Sequence, residues 1–157
     1  MKINTSKLVP SLIFPLVVGL TSGFLTMDGI INYYRVLNKP PLTPPDWVFA
    51  PTWTILYITM GIALYLFWNS PKKAALKEKG YLFFILQLIA NFLWSLIFFN
   101  LQSAFWGLID LGAMIILTGI NIYYFNKINR NSALMLLPYL VWILFATYLN
   151  IGILLLN

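Results

Sequence analysis

The chain has 157 residues, 61% of them hydrophobic and only 9% charged, with a net charge of +6 and neither cysteine nor histidine. A water-soluble domain carries about a quarter charged residues, so this chain lacks the polar surface to coat a soluble globule and reads as a membrane protein. The missing thiols and imidazoles exclude a disulfide framework, thiolate or imidazole catalysis and the usual soft metal ligands.

Apolar runs of spanning length lie at about 8–27, 48–68, 81–99, 105–125 and 133–156, each close to the ~20 residues that a helix needs to cross hydrocarbon. They predict an all-α membrane protein, one domain over residues 1–157 built as a bundle of five transmembrane helices. The first run follows Lys2 and Lys7, but no A-x-A-like cleavage site comes after it, so it reads as a retained helix. Its "GLTSG" places Gly19 and Gly23 one turn apart, a spacing that lets another helix pack closely.

Between the first and second runs the chain reads "KPPLTPPDWVFAPTW" over residues 39–53. Proline locks φ and removes an amide donor, so this stretch forms neither a sheet edge nor a long helix. Each residue before a proline is pushed towards extended geometry. The predicted form is a stiff segment lying across the outer mouth of the bundle and closing a ligand cavity. Thr43 or Asp46 is expected to cap the second membrane helix, with Pro44 or Pro45 in its first turn. Pro51 frees the carbonyl near Trp47 and bends the helix there.

At 100° per residue, Trp53, Tyr57, Met60 and Leu64 share one face of the second span. Gln87, Asn91, Trp94 and Phe98 do so on the third, and Trp106, Asp110, Ala113 and Leu117 on the fourth. The fifth aligns Trp142, Ala146, Leu149 and Ile153, with Asn150 at the edge. With about 1.5 Å of rise per residue, the polar members of these faces gather in the outer half of the bilayer, below the proline-rich loop. Asp110 either pairs with Arg35 or Lys39 or offers a polar contact to a ligand. The amides Gln87, Asn91 and Asn150 serve as interhelical glue or as ligand contacts. Trp47 and Trp106 near the outer boundary, and Trp68, Tyr81, Tyr123 and Tyr124 near the inner one, read as aromatic belts.

Lys2, Lys7, Lys72, Lys73, Lys77, Lys79, Lys127 and Arg130 collect on one side of the five spans; Arg35 and Lys39 are alone on the other. The positive-inside rule then puts the N-terminus in the cytoplasm and the C-terminus and first loop, residues 28–47, outside. Basic residues confined to short gaps set topology, so no nucleic-acid partner is expected.

The stretch "YYRVLNKPPLTPPDWVFAPTWTILY" resembles the first-loop signature of the TspO/MBR family of tryptophan-rich sensory and translocator proteins, and "QLIANFLW", "WGLID" and "PYLVWILFATYLN" fit in order behind it. The resemblance runs from Tyr33 to Asn150. It implies a five-helix bundle with a ligand cavity closed by the first loop, often in a homodimer. It also implies binding of porphyrins, protoporphyrin IX or haem, with no cofactor required. The pocket positions it carries over are Tyr34, Pro44, Trp53, Tyr57, Asn91, Trp94, Asp110, Trp142, Phe145, Ala146, Leu149 and Asn150. Arg35 and Lys39, on the same side, are the expected contacts for porphyrin propionates. Tyr33 stands where the family has a tryptophan, and Pro41-Leu42 replaces an aromatic after the Lys-Pro pair. The tyrosine and basic residue of the animal cholesterol motif are absent after Asn150. The expected function is a porphyrin receptor or sensor in the bacterial cytoplasmic membrane; a tetrapyrrole transporter and a light-dependent porphyrin-degrading protein are the alternatives.

The charge bias generates a topology prediction. A single cysteine at position 38 is expected to react with an impermeant maleimide on intact cells, and one at position 77 only after lysis. Labelling of position 77 from outside overturns the orientation.

Overall fold

A computed structural model of the chain describes residues 3–71 and 74–157; Lys2, Lys72 and Lys73 of the charge count lie outside the described residues. Helix α1 spans Thr5–Leu25, the short α2 Met27–Asn32, and a 3-10 turn Tyr34–Val36. The loop leads into α3, Asp46–Asn69. Helix α4, Ala74–Ser95, runs on through a π-helical turn, Leu96–Asn100. Helices α5, α6 and α7 cover Ala104–Ile128, Arg130–Leu134 and Leu137–Leu156. Five segments are long and apolar enough to cross a membrane: Thr5–Leu25, Asp46–Asn69, Ala75–Asn100, Ala104–Ile128 and Arg130–Leu156. The described residues form no strand, so the all-α, five-span fold read from the apolar runs is the observed one.

Local chemistry explains the breaks. The fifth span is divided between α6 and α7 because Pro138, in the first turn of α7, cannot donate to a carbonyl one turn back. Ser103 caps α5 by accepting from Trp106 N at 3.3 Å, and Asn129 caps α6 by accepting from Asn131 N at 3.0 Å. Helix α3 differs from expectation: its N-cap position is Pro45, and neither Thr43 nor Asp46 caps it. The Thr43 hydroxyl instead donates to the Pro40 carbonyl at 2.7 Å, closing a tight turn within the loop.

Helix α1 lies along α3, α4 along α5, and α5 along α7. Gly61 makes the first of these pairings possible, since a Cβ there would meet Ser11 O and Leu12 Cα at 2.8 Å. Gly19 of α1 lies against the Tyr57 ring, where a Cβ would collide, whereas a Cβ at Gly23 would meet nothing. Close approach through the "GLTSG" pair is therefore realised at Gly19 alone. The interior is filled by Met60, Phe67, Phe84, Leu88, Met114, Phe125 and Tyr139, with the Phe67 and Phe125 rings stacked at 4.0 Å and 8°. Polar bonds also tie the helices: Asn121 Nδ2, buried, donates to Gly80 O at 2.9 Å, and Asn129 Nδ2, at the helix ends, to Ser70 Oγ at 3.2 Å.

The fourth span corrects a sequence expectation. Trp106 and Ala113 are exposed, and the face turned inward carries Gly107, Leu111, Met114, Thr118, Asn121 and Phe125. Gly107 decides the rotation. It leaves room for Trp94 and Asn150 side chains against the α5 backbone, while Trp106 faces out with the other belt residue Trp47.

Overpacking of a close helix contact costs about 1–3 kcal/mol. Gly61→Leu is accordingly expected to lower the thermal midpoint of the purified protein. Gly119→Ala, where a Cβ meets nothing, is expected to hold or raise it. Equal midpoints for Gly61→Leu and the parent would show that α1 and α3 do not depend on this approach.

Candidate ligand-binding site

A cavity of about 530 Å³ lies towards the end of the bundle that carries the proline-rich loop, inside the range of ~300–1,000 Å³ typical of small-molecule sites. Helical spacing sets its walls. On α3, Phe49, Trp53 and Tyr57 fall on one face; on α7, Trp142, Ala146, Leu149 and Ile153 do the same. Trp94 and Phe98 come from α4 and its π-helical extension, their rings stacked at 5.1 Å and 14°. Tyr34 and Arg35 contribute from the 3-10 turn.

Trp53 and Trp142 meet edge to face, centroids 6.4 Å apart at 85°. They form a corner of two adjoining walls, which leaves no gap between them to sandwich a ring. Tyr57 stacks beneath Trp53 at 5.7 Å and 29°. Its hydroxyl donates to Asn91 Oδ1 at 2.5 Å, and Asn91 Nδ2 donates to Tyr139 Oη at 3.4 Å. This buried chain joins α3, α4 and α7 and holds the cavity floor in place.

Two polar groups on the wall stand differently. Trp94 Nε1 and both side-chain amide atoms of Asn150 are buried without a hydrogen-bond partner among the described residues. They gather at Gly107, where a Cβ would sit 3.0 Å from Asn150 Nδ2 and 3.5 Å from Trp94 Nε1. An unmet buried polar group costs about 1–3 kcal/mol, and these atoms face Gly107 of α5, which is not part of the cavity lining.

Of the residues expected at the site, Tyr34, Arg35, Trp53, Tyr57, Trp94, Trp142, Ala146, Leu149 and Asn150 line the cavity. Asn91 stands behind Tyr57 as its hydrogen-bond partner, and Phe145 packs on Trp142 at 5.6 Å between centroids. Pro44, Lys39 and Asp110 are off the lining. Asp110 makes no ion pair among the described residues. Arg35 Nε and Lys39 Nζ both turn to Asp46, at 3.4 and 3.8 Å. Those three groups share the hydrated loop end, where pairing needs no desolvation of Asp110. The α1–α2 wall, with Leu16, Gly19, Ser22, Thr26 and Ile30, was not anticipated. Its signal was the glycine pair of "GLTSG", which was read for packing alone.

The loop is held down at several points. Lys39 Nζ lies 4.4 Å from the Tyr34 ring centroid, and burial, followed by the negative charge of Asp46, pushes the Tyr34 phenol up to about 12. That phenol stays neutral across the physiological range. Residues 40–43 form a turn in which Leu42 has φ 66°, a left-handed conformation suited to glycine. Pro40 packs on Gly152, where any Cβ would collide with its ring. Tyr148 Oη donates to Pro41 O at 2.7 Å. Asn157 Oδ1 accepts from Asn38 N, and Asn157 Nδ2 donates to Asn38 O, both at 3.0 Å.

Comparison with known proteins points in one direction. The sequence profile of the TspO/MBR family matches residues 11–156. The chain is 43% identical to a tryptophan-rich protein TspO of Archaeoglobus fulgidus, over 98% of this chain and 99% of that one. It is 39% identical to a tryptophan-rich protein TspO of Chlorobaculum tepidum, over 90% of each. A translocator protein of Bos taurus is 34% identical over 90% of this chain and 86% of its own length.

Removing the bonds made by Asn157 and Tyr148 tests the latch. Each net hydrogen bond is worth about 0.5–1.5 kcal/mol, so Asn157→Ala combined with Tyr148→Phe is expected to speed amide exchange at Asn38, whose N–H donates to Asn157, by tenfold or more. Unchanged exchange would mean that these hydrogen bonds do not hold the loop.

Proposed function

Because the chain belongs to the TspO/MBR family, we propose that the cavity is the receptor site for a flat, apolar ligand of the porphyrin class and that the protein acts as a membrane sensor of tetrapyrroles. The observation that carries this reading is the indole corner of Trp53 and Trp142. It presents broad π-surface to a planar ring, with Tyr57, Trp94 and Phe98 extending the aromatic wall. One ring face lies against an indole, and the rim meets Leu149, Ala146 and the glycine-opened side of α1. Arg35 lines the cavity and its side chain is 57% exposed while paired to Asp46, so a propionate competes for it at little desolvation cost. Lys39, held over Tyr34, is the second cation in reach of the mouth.

Nothing in this chemistry requires iron. With neither histidine nor cysteine in the chain, the strongest axial haem ligands are missing, and affinity comes from aromatic contact and apolar burial. We assign the loop end to the outer face of a cytoplasmic membrane on the charge distribution, so the receptor samples ligand on that side.

The test is titration of the purified protein with protoporphyrin IX and haem in darkness. Aromatic contacts contribute about 0.5–1.5 kcal/mol beyond area burial. Trp53→Phe and Trp142→Phe are expected to weaken binding by about 2- to 10-fold, whereas Trp106→Phe on the exposed belt leaves it unchanged. Metal-free porphyrin is expected to bind within about tenfold of haem. Parent-like binding by both cavity variants would place the ligand elsewhere. An axial-ligand spectrum with haem favoured by orders of magnitude would refute iron-independent recognition. Loss of porphyrin absorbance under illumination would turn the receptor reading into one of turnover.

A further inference from the structure

A second concavity, of about 370 Å³, lies towards the end of the bundle opposite the loop, between α1, α3 and α4. Phe14, Phe84 and Ile85 line its apolar part, and Trp68 and Tyr81 its polar end. Phe14 and Ile85 are exposed on the lipid-facing surface, so the groove opens to hydrocarbon. Nothing in the porphyrin reading uses it.

Two observations distinguish it from an ordinary seam between helices. The first is charge. Lys7 Nζ lies 5.9 Å from the Trp68 ring centroid, and Lys77 Nζ donates to the Trp68 carbonyl at 3.0 Å. Two ammonium groups thus converge on one residue of the groove. Both ion pairs among the described residues are at Asp46, at the other end of the molecule, so neither amine is neutralised by a carboxylate there. The second is Ser11, which lines the groove. Its hydroxyl is buried and unpartnered among the described residues. The hydroxyls later in this helix and at its cap behave differently: Thr21, Ser22 and Thr26 each donate to a carbonyl in the preceding turn, the usual resort of a hydroxyl in a helix.

We propose that this groove is a specific site for one anionic phospholipid. The phosphate sits between Lys7 and Lys77, and the Ser11 hydroxyl, one helical turn below Lys7, donates to an ester oxygen. An acyl chain lies against Phe14, Phe84 and Ile85, while Trp68 and Tyr81 flank the glycerol level, where such rings prefer to be. The charge selects the occupant. A phosphatidylglycerol headgroup leaves its phosphate charge unopposed, whereas phosphatidylcholine brings a cationic choline towards two lysines. A basic residue at a membrane surface contributes enough that two of them favour the anionic lipid on the order of tenfold. Ser11 and the groove's depth confine the effect to one bound molecule.

The experiment is native mass spectrometry of the full chain, purified from mixed micelles holding equal phosphatidylglycerol and phosphatidylcholine. The parent is expected to retain one phosphatidylglycerol, favoured on the order of tenfold. Lys7→Gln reduces that preference and Lys7→Gln/Lys77→Gln abolishes it, while Arg130→Gln, at the same end, preserves it. Lys77 also bonds the Trp68 and Ser70 carbonyls at the end of α3, so Ile85→Trp, which fills the groove from the lipid side with both lysines intact, supplies an independent arm. It is expected to lower phosphatidylglycerol retention with the melting midpoint unchanged. Equal retention of the two lipids by the parent, a preference that survives loss of both lysines, or full retention by Ile85→Trp would each overturn the proposal.

Discussion

Hydrocarbon gives an apolar side chain no reason to leave it, so the hydrophobic effect that assembles a soluble core does not hold these helices together. What remains is close packing and the cost of an unmet polar group. The bundle uses both at identifiable points. Gly61 lets α3 approach the backbone of α1 at Ser11 and Leu12, and Gly107 makes room for Trp94 and Asn150 against α5. Asn121 reaches the Gly80 carbonyl of α4, and Asn91 bridges Tyr57 and Tyr139. Each interhelical bond of this kind contributes about 0.6–2 kcal/mol. The cavity depends on the same arrangement, because Asn91 fixes the hydroxyl of the tyrosine on which Trp53 stacks.

The loop meets a different constraint. Proline supplies no amide donor, so a segment this rich in proline cannot anchor itself through its own backbone. It is held by carbonyls and borrowed side chains: the Pro41 carbonyl takes the Tyr148 hydroxyl, and the Asn38 backbone is matched on both sides by one asparagine amide. Tyr148 sits on α7, the helix that also carries Trp142, and Asn157 is its C-cap. The left-handed Leu42 marks where the turn was made without a glycine.

Helix α1 connects the two concavities. Its later turns face the indole corner and its earlier turns face the groove with Trp68. Pro15 separates them and leaves the Ser11 carbonyl without its helical donor. The same helix thus lines both concavities.

The number of spans and the aromatic faces of α3 and α7 were legible in the chain, because hydropathy and helical period act locally. The rotation of α5 was not. Trp106 and Asp110 lie on an attractive stripe, yet Gly107 faces inward, since only the packed neighbours Trp94 and Asn150 reveal which side needs the space. The partner of Asp46 was equally hidden, because a charge distribution ranks sides of a membrane and not distances between side chains. Fixing helices and their apolar faces takes a few residues of local pattern. Which faces meet, how Trp53 and Trp142 turn towards each other, and how α1 completes the wall depend on contacts between residues far apart in the chain, and those exist only once the helices have packed.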